Sequence, residues 1–231
     1  MERSETARTQ KWPQEIVLIR HAHSQRNLSK ETAQKTAQVW ADSALRNQDS
    51  PLTAQGVEQA LATGRHLSAH PHYDIIFASP YLRTRQTAER IVSTLGYEPT
   101  IMIEERIREI EFGILDGLTA IGIRESYPLE LERRQKEGKY WYRPPGGESR
   151  PDVALRVHSF LGTLTREYAK TRVLIVCHSV VVLIFRRLLE RWHEEQYLLV
   201  EKEQDVKNCS LTSYLWNGER LALQHYNKIY Y

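Results

Sequence analysis

The sequence predicts an α/β protein: a mainly parallel sheet flanked by helices on both faces, with a helical and irregular insertion over the carboxyl ends of the strands. Three observations carry that expectation. Short apolar runs alternate with segments of helical periodicity, the pattern of strand–helix–strand units. Two of those runs end in histidine, Ile16-Val17-Leu18-Ile19-Arg20-His21 and Arg172-Val173-Leu174-Ile175-Val176-Cys177-His178. A charged, tyrosine-rich stretch from Ile107 to Pro145 interrupts the alternation. In such sheets the polar work is done beyond the carboxyl ends of the strands, so both imidazoles are expected at one crevice.

The elements follow in order. After the first strand, a helix is expected over residues 29–47, with Ala33, Thr36, Trp40 and Ala44 at helix spacing; Asp49-Ser50-Pro51 breaks it. Thr53 caps the next helix, whose apolar face is Val57, Ala60, Leu61, Gly64 and Leu67. Asp74 to Ser79 reads as a short buried strand, and Ser79-Pro80 as the start of a helix with Ala88, Ile91, Val92 and Leu95 inward. Thr100 to Glu104 is another strand. Within the insertion, Thr119–Tyr127 and Leu129–Glu137 are short helices. Ser149 caps a long helix with Val153, Val157, Phe160, Leu161, Leu164 and Tyr168 inward. The Arg172–Cys177 strand and an apolar helix from Ser179 to about Arg191 come next. A hairpin with Asn217-Gly218 as its turn closes the chain.

Size and composition bound the partners. At 231 residues the chain fits one domain, expected over 15–231, with 107–148 covering the active site and 1–14 a flexible tail. Glu2 and Glu5 argue against reading that tail as a transit peptide. The formal net charge is only +3 and no dense basic tract points to nucleic acid. The longest apolar run, Val173 to Phe185, is too short for a bilayer and contains His178, so no membrane partner is expected. Cys177 and Cys209 are too few for a disulfide framework, which favours a reducing, cytoplasmic setting.

The candidate chemistry is that of phosphate. Arg20 puts a permanent cation beside His21, and Ser24 and Asn27 follow as small polar groups in the loop after the strand. Arg83 lies on the first turn of a helix, whose free N–H groups favour anions. Guanidinium groups bind phosphoryl oxygens bidentately, which makes Arg20 and Arg83 more telling than lysines.

Set in order, the segments carry a resemblance. Arg20-His21-Ala22 with Asn27, Pro51-Leu52-Thr53-Ala54-Gln55-Gly56, Ser79-Pro80-Tyr81-Leu82-Arg83-Thr84-Arg85-Gln86-Thr87-Ala88, Arg108-Glu109-Ile110-Glu111-Phe112-Gly113 and Cys177-His178-Ser179 resemble the histidine phosphatase superfamily, also called phosphoglycerate mutase-like. Pro144-Pro145-Gly146-Gly147-Glu148-Ser149 looks like its phosphatase side. The resemblance implies a metal-independent hydrolase of a small phosphorylated metabolite, needing no cofactor. His21 would be the nucleophile and form a phosphohistidine. Arg20, Arg83, His178 and Asn27 would hold the phosphoryl oxygens, with Ser24 and Glu148 as further binding residues. Glu109 would protonate the leaving group and then activate water. A homodimer is allowed and not specified.

This chain departs from the family pattern in three places. Ala22 and Ser179 replace glycines that usually follow the two histidines, where an extra side chain or a required positive φ would impair activity. His23 stands where Glu or Gln is common. Three further readings stand beside hydrolysis: mutase-type phosphoryl transfer in the same fold, a catalytically impaired phospholigand-binding or regulatory protein, suggested by Ala22 and Ser179, and a metal-dependent amidohydrolase, suggested by His21-Ala22-His23. Blander roles are expected elsewhere: Glu111 as a surface carboxylate, Tyr140-Trp141-Tyr142 as packing, His66, His70 and His72 as a solvated cluster, and Arg186, Arg187 and Arg191 as the wet face of a helix.

Overall fold

Three of the four parallel strands, those at 15–20, 75–78 and 172–177, are buried on both faces, and their odd and even residues feed two separate cores. In this computed structural model, which describes residues 10–41 and 45–231, the sheet has the order β3-β2-β4-β1-β5-β6. Strands β1 (Glu15–Arg20), β2 (Ile75–Ala78), β3 (Thr100–Ile103) and β4 (Arg172–Cys177) run parallel, whereas β5 (Leu211–Trp216) and β6 (Leu221–Lys228) run antiparallel. Ile16, Leu18, Ile75, Phe77, Val173 and Ile175 pack on one face against helices α6 (Arg150–Glu167), α7 (Ser179–Leu189) and α8 (Glu194–Glu203). Val17, Ile19, Ile76, Ala78, Leu174 and Val176 pack on the other, against α2 (Ala54–Ser68) and α3 (Leu82–Val92). Period-two alternation in a strand buried on both faces produces this division.

The first helix differs from expectation. Helix α1 (Gln25–Lys35) begins four residues earlier, because Ser24 accepts from the Asn27 amide nitrogen while the Asn27 side chain accepts from Ser24 N, a reciprocal cap. It ends with Thr36 as its cap, and residues 38–41 then run extended against 117–119. Trp40 thus sits over Gly117, half-exposed, instead of on a helix face, and Ala44 lies outside the described residues. Thr53 caps α2 as expected, but the buried face is Gly56, Gln59, Ala60, Thr63, Gly64 and Leu67, with Val57 and Leu61 at its margin. A Cβ at Gly56 would collide with the His23 backbone, so this glycine allows α2 to approach the end of β1.

Other boundaries moved for identifiable reasons. Helix α3 starts at Leu82 and not at Ser79-Pro80: Tyr81 is still extended and serves as its N-cap, while the Ser79 hydroxyl meets both His178 Nε2 and Tyr81 N. Helices α4 (Ala120–Ser126) and α5 (Pro128–Glu137) lie in the insertion as expected. Helix α8 was not anticipated; only Tyr197 and Val200 of it are buried, too few to print a periodicity. The hairpin uses a four-residue loop, with Asn217 N donating to Arg220 O and the Asn217 side chain accepting from Glu219 N and Arg220 N. Residues 10–14, expected in the tail, run along the domain: Trp12 packs against the core and Gln14 bonds to Thr171 and Trp216. Arg186 is buried rather than wet, paired with Glu190 and stacked over Tyr226. Tyr140 and Tyr142 are packing, as expected, and Trp141 is exposed.

Candidate active site

Three neighbouring strands deliver the site. β4 lies between β1 and β2, so His178 after β4 is flanked by His21 after β1 and by Ser79 after β2. The strand pairing continues past the strand ends, with His21 N donating to Cys177 O and Ser79 N to Val176 O. The two imidazole centroids stand 5.2 Å apart, edge to face. Arg83, on the first turn of α3, reaches back between them.

The protonation of His21 follows from its partners. Its Nδ1 is 2.8 Å from the Ala22 carbonyl and its Nε2 is 3.2 Å from Arg83 Nε. A carbonyl only accepts and a guanidinium only donates, so the proton sits on Nδ1 and Nε2 keeps its lone pair. Burial, then the charges of Arg83 and Arg20, hold the His21 pKa well below its ordinary value. His21 is therefore neutral, with its free nitrogen pointing at the guanidinium.

Arg83 is buried and triply engaged. Besides His21 it donates from Nη1 to the Asn47 carbonyl at 2.6 Å, and its Nη2 lies 3.5 Å from His178 Nδ1. Burial lowers its pKa to about 10, which leaves it charged at neutral pH. Arg20 donates through Nη1 to the Val206 carbonyl, while its buried Nε has no partner among the described residues. His178 is wholly buried, its Nε2 2.8 Å from Ser79 Oγ, and burial followed by Arg83 keeps it neutral as well.

Glu109 is the acid that the fold brings in. It is 8% exposed, its Oε1 accepts from Ile110 N, and its Oε2 is 3.8 Å from His178 Nδ1. Burial raises its pKa and outweighs the opposing pull of Arg83. Its segment is bent over the sheet by Gly113, whose φ is +54° and whose Cβ would strike the backbone at 145–147. Glu111, by contrast, faces outward and accepts from the Tyr81 hydroxyl at 3.1 Å.

A cavity of about 350 Å³ is lined by Arg20, His21, Ser24, Asn27, Arg83, Glu109 and Ser179 among others. The Ser24 hydroxyl itself is spent in the cap of α1. Glu148, expected to bind substrate, does not line the cavity. It accepts from Arg108, from Arg156 and from Glu111 N, and so clamps the acid segment from behind. His23 also points away, bonded to Thr53 Oγ1 and Glu31, so His21-Ala22-His23 does not chelate as a pair. Among the described residues no three His, Cys, Asp or Glu side chains converge as metal ligands.

Residues 16–229 match the histidine phosphatase superfamily (branch 1). The chain belongs to that superfamily. It is 31% identical over 205 residues to phosphoglycerate mutase-like protein AT74 of Arabidopsis thaliana, a match covering 80% of this chain and 60% of that one, so it spans less than two thirds of that relative. It is 32% identical to phosphoserine phosphatase 1 of Hydrogenobacter thermophilus, over 71% of each chain. The fold superposes on a mycobacterial glucosyl-3-phosphoglycerate phosphatase solved with VO3, with a TM-score of 0.70 at 23% identity, covering 93% of this chain and 99% of the other.

In this histidine phosphatase fold, several residues at the site had no signal in the sequence. The carbonyls of Asn47 and Val206 that hold the two arginines are backbone atoms, which any residue type supplies. Asn208 and Arg156 lie far along the chain from what they touch, and only the fold joins them to His21, Asn27 and Glu109.

Proposed function

We propose that this protein is a metal-independent phosphomonoester hydrolase acting on a small phosphorylated metabolite through a phosphohistidine at His21. The observation that carries the reading is the unprotonated Nε2 of His21, which accepts from Arg83 Nε at 3.2 Å in a cavity that also holds Glu109, a buried carboxyl whose pKa burial raises. A phosphate group entering the cavity takes up the guanidinium N–H groups of Arg83 and the unpartnered Nε of Arg20. Asn27 adds a neutral donor, and His178 Nδ1 stands behind Arg83.

The chemistry then divides in two. The Nε2 lone pair attacks phosphorus, the P–O ester bond breaks, and Glu109 gives its proton to the departing oxygen. Glu109, now a carboxylate, takes a proton from water; that water attacks phosphorus, the P–N bond breaks, and inorganic phosphate leaves. Stabilisation comes from fixed donors around the equatorial oxygens, as phosphoryl transfer requires.

Residues 15–231 act in this reading as one domain, with 107–148 walling the active site. Both cysteines are free and buried, which suits a reducing, cytoplasmic setting. No helix among the described residues is long and apolar enough to cross a membrane. The deciding experiment is a panel of phosphomonoesters assayed with and without chelator, scoring free phosphate against phosphate passed to an acceptor alcohol. Hydrolysis that persists in chelator, is inhibited by vanadate, and passes through an acid-labile, base-stable protein phosphate supports the proposal. Activity that vanishes with chelator and returns with zinc overturns it, and transfer without hydrolysis converts it to a mutase.

A further inference from the structure

Asn208 takes no part in the steps above, yet it touches two of the groups that do. It lies in the turn between α8 and β5. Its Nδ2 donates to the His21 carbonyl at 3.0 Å and to Asn27 Oδ1 at 3.3 Å. The orientation of its amide follows from chemistry, because a backbone carbonyl only accepts.

Asn27 is oriented by the same logic. Its Oδ1 accepts from the Ser24 backbone N–H at 3.1 Å and from the Ser24 hydroxyl at 2.9 Å, as well as from Asn208. With its oxygen committed to three donors, the amide has only its NH₂ left to turn toward the cavity that Asn27 lines. A flipped amide would instead present an oxygen to a phosphoryl dianion, replacing attraction by repulsion.

We propose that Asn208 is a positioning residue that locks the Asn27 amide with its NH₂ toward the phosphoryl site and ties it to the backbone of the nucleophile. The inference rests on the phosphomonoester reading above. The turn that carries Asn208 is itself well anchored. Tyr231 donates its hydroxyl to Asn208 O at 2.9 Å, Lys207 N donates to Asn227 Oδ1 at 2.8 Å, and Asn227 Nδ2 donates to Asp205 O at 2.9 Å. The turn also accepts Arg20 at Val206 O, and Cys209 N is shared between the carbonyls of Arg20 and His21. One short segment thus fixes a guanidinium, a nucleophile and an amide against each other.

The test is a double-mutant cycle read in the inhibition constant for inorganic phosphate and in kcat/KM for p-nitrophenyl phosphate. Asn208→Ala is expected to weaken both by about tenfold, the range for one well-placed hydrogen bond. In an Asn27→Ala background the same change should cost less than about twofold, because the group it orients is gone. A purely structural role would cost the same factor with or without Asn27, and that additive result overturns the proposal. Asn208→Leu keeps the approximate volume and removes the donor without adding charge; it carries the cycle if the alanine variant does not fold. A wild-type protein that neither binds phosphate nor hydrolyses the ester overturns the phosphomonoester reading and this inference with it, whereas additivity in an active enzyme overturns this inference alone.

Discussion

The floor of the cleft and its roof are held by different forces. On the floor, His21, Ser79 and His178 sit directly after strands β1, β2 and β4, and backbone hydrogen bonds continuing the sheet fix their positions. All are buried. The roof, residues 107–148, has no strand in the sheet: it is fastened by a short backbone pairing of 117–119 with 38–41, by Ile107, Ile110 and Tyr140 in the core, and by side-chain pairs of Glu148 with Arg156, Arg26 with Asp116 and Arg143 with Asp152. It also exposes Phe112, Ile114, Leu129 and Trp141. A sheet gives an almost invariant placement, whereas long charged side chains give an adjustable one. In the proposed reading the phosphate chemistry therefore belongs to the floor, and the roof supplies one buried acid.

The comparison breaks most sharply at His21. His21→Ala removes the proposed nucleophile while leaving the sheet intact, and a loss of more than about 10⁴-fold in turnover is expected, as for other nucleophile deletions. Labelled phosphate trapped on the wild-type protein by neutral quenching should be absent from the variant. Label that persists would move the nucleophile to another floor residue, with His178 next in line.

The roof's one chemical contribution comes second. Glu109→Gln keeps the shape and removes the transferable proton. A loss of about 10²–10⁴-fold is expected for alkyl phosphates, whose alkoxide needs protonation, and a much smaller one in the burst phase with p-nitrophenyl phosphate. The pH dependence carries the same sign. Burial raises the Glu109 pKa above the usual carboxylate value, so its protonated form, required in the first step, is lost as pH rises through that raised value. An alkaline limb that Glu109→Gln abolishes supports the assignment; equal losses on both substrates would make Glu109 a positioning group.

A smaller effect separates clamp from chemistry. Glu148→Ala leaves Arg108 and Arg156 without their shared, largely buried carboxylate, and about 1–3 kcal/mol of stability should go with it in denaturant unfolding. Because Glu111 N also loses its acceptor, the acid segment loosens. Activity on alkyl phosphates should then fall more than activity on aryl phosphates. An equal fall on both, with stability unchanged, would place Glu148 at the substrate after all.

This division also explains what the sequence made legible. Strand-end residues are readable because an apolar run that stops at Arg20-His21 or at Cys177-His178 fixes both the element and the direction of the next side chain. Glu109 was readable through its spacing to Gly113, whose conformation the bend requires. Glu148 was misplaced because a carboxylate near a site has the same spelling whether it meets substrate or the back of a loop. The start of α1 is hard to read because Ser24 and Asn27 also suit phosphate donors, whereas in the fold the Ser24 hydroxyl and the Asn27 oxygen serve the cap. Asn208 was invisible, since its partners lie 181 and 187 residues away along the chain.

The smallest expected effect concerns the two residues that replace glycines on the floor. Neither Ala22 nor Ser179 has a positive φ, so neither position demands glycine for its backbone. Ala22 is fully buried in the core beside Ala60 and Ala88, and its N–H donates to Thr87 Oγ1 at 3.0 Å; its methyl group is packing, away from the cavity. Ser179 does line the cavity, at the first residue of α7, where a small side chain leaves the helix N–H groups accessible. Restoring glycine should therefore do little for catalysis. Ala22→Gly is expected to leave kcat/KM within about twofold and to cost about 0.5–1 kcal/mol of stability through added backbone freedom. Ser179→Gly is expected to change p-nitrophenyl phosphate hydrolysis by less than about threefold, because any hydrogen bond its hydroxyl lends the substrate is weak and exposed. A large gain in rate in either variant would mean that the floor of this chain is crowded, and would favour the impaired, ligand-binding reading over hydrolysis.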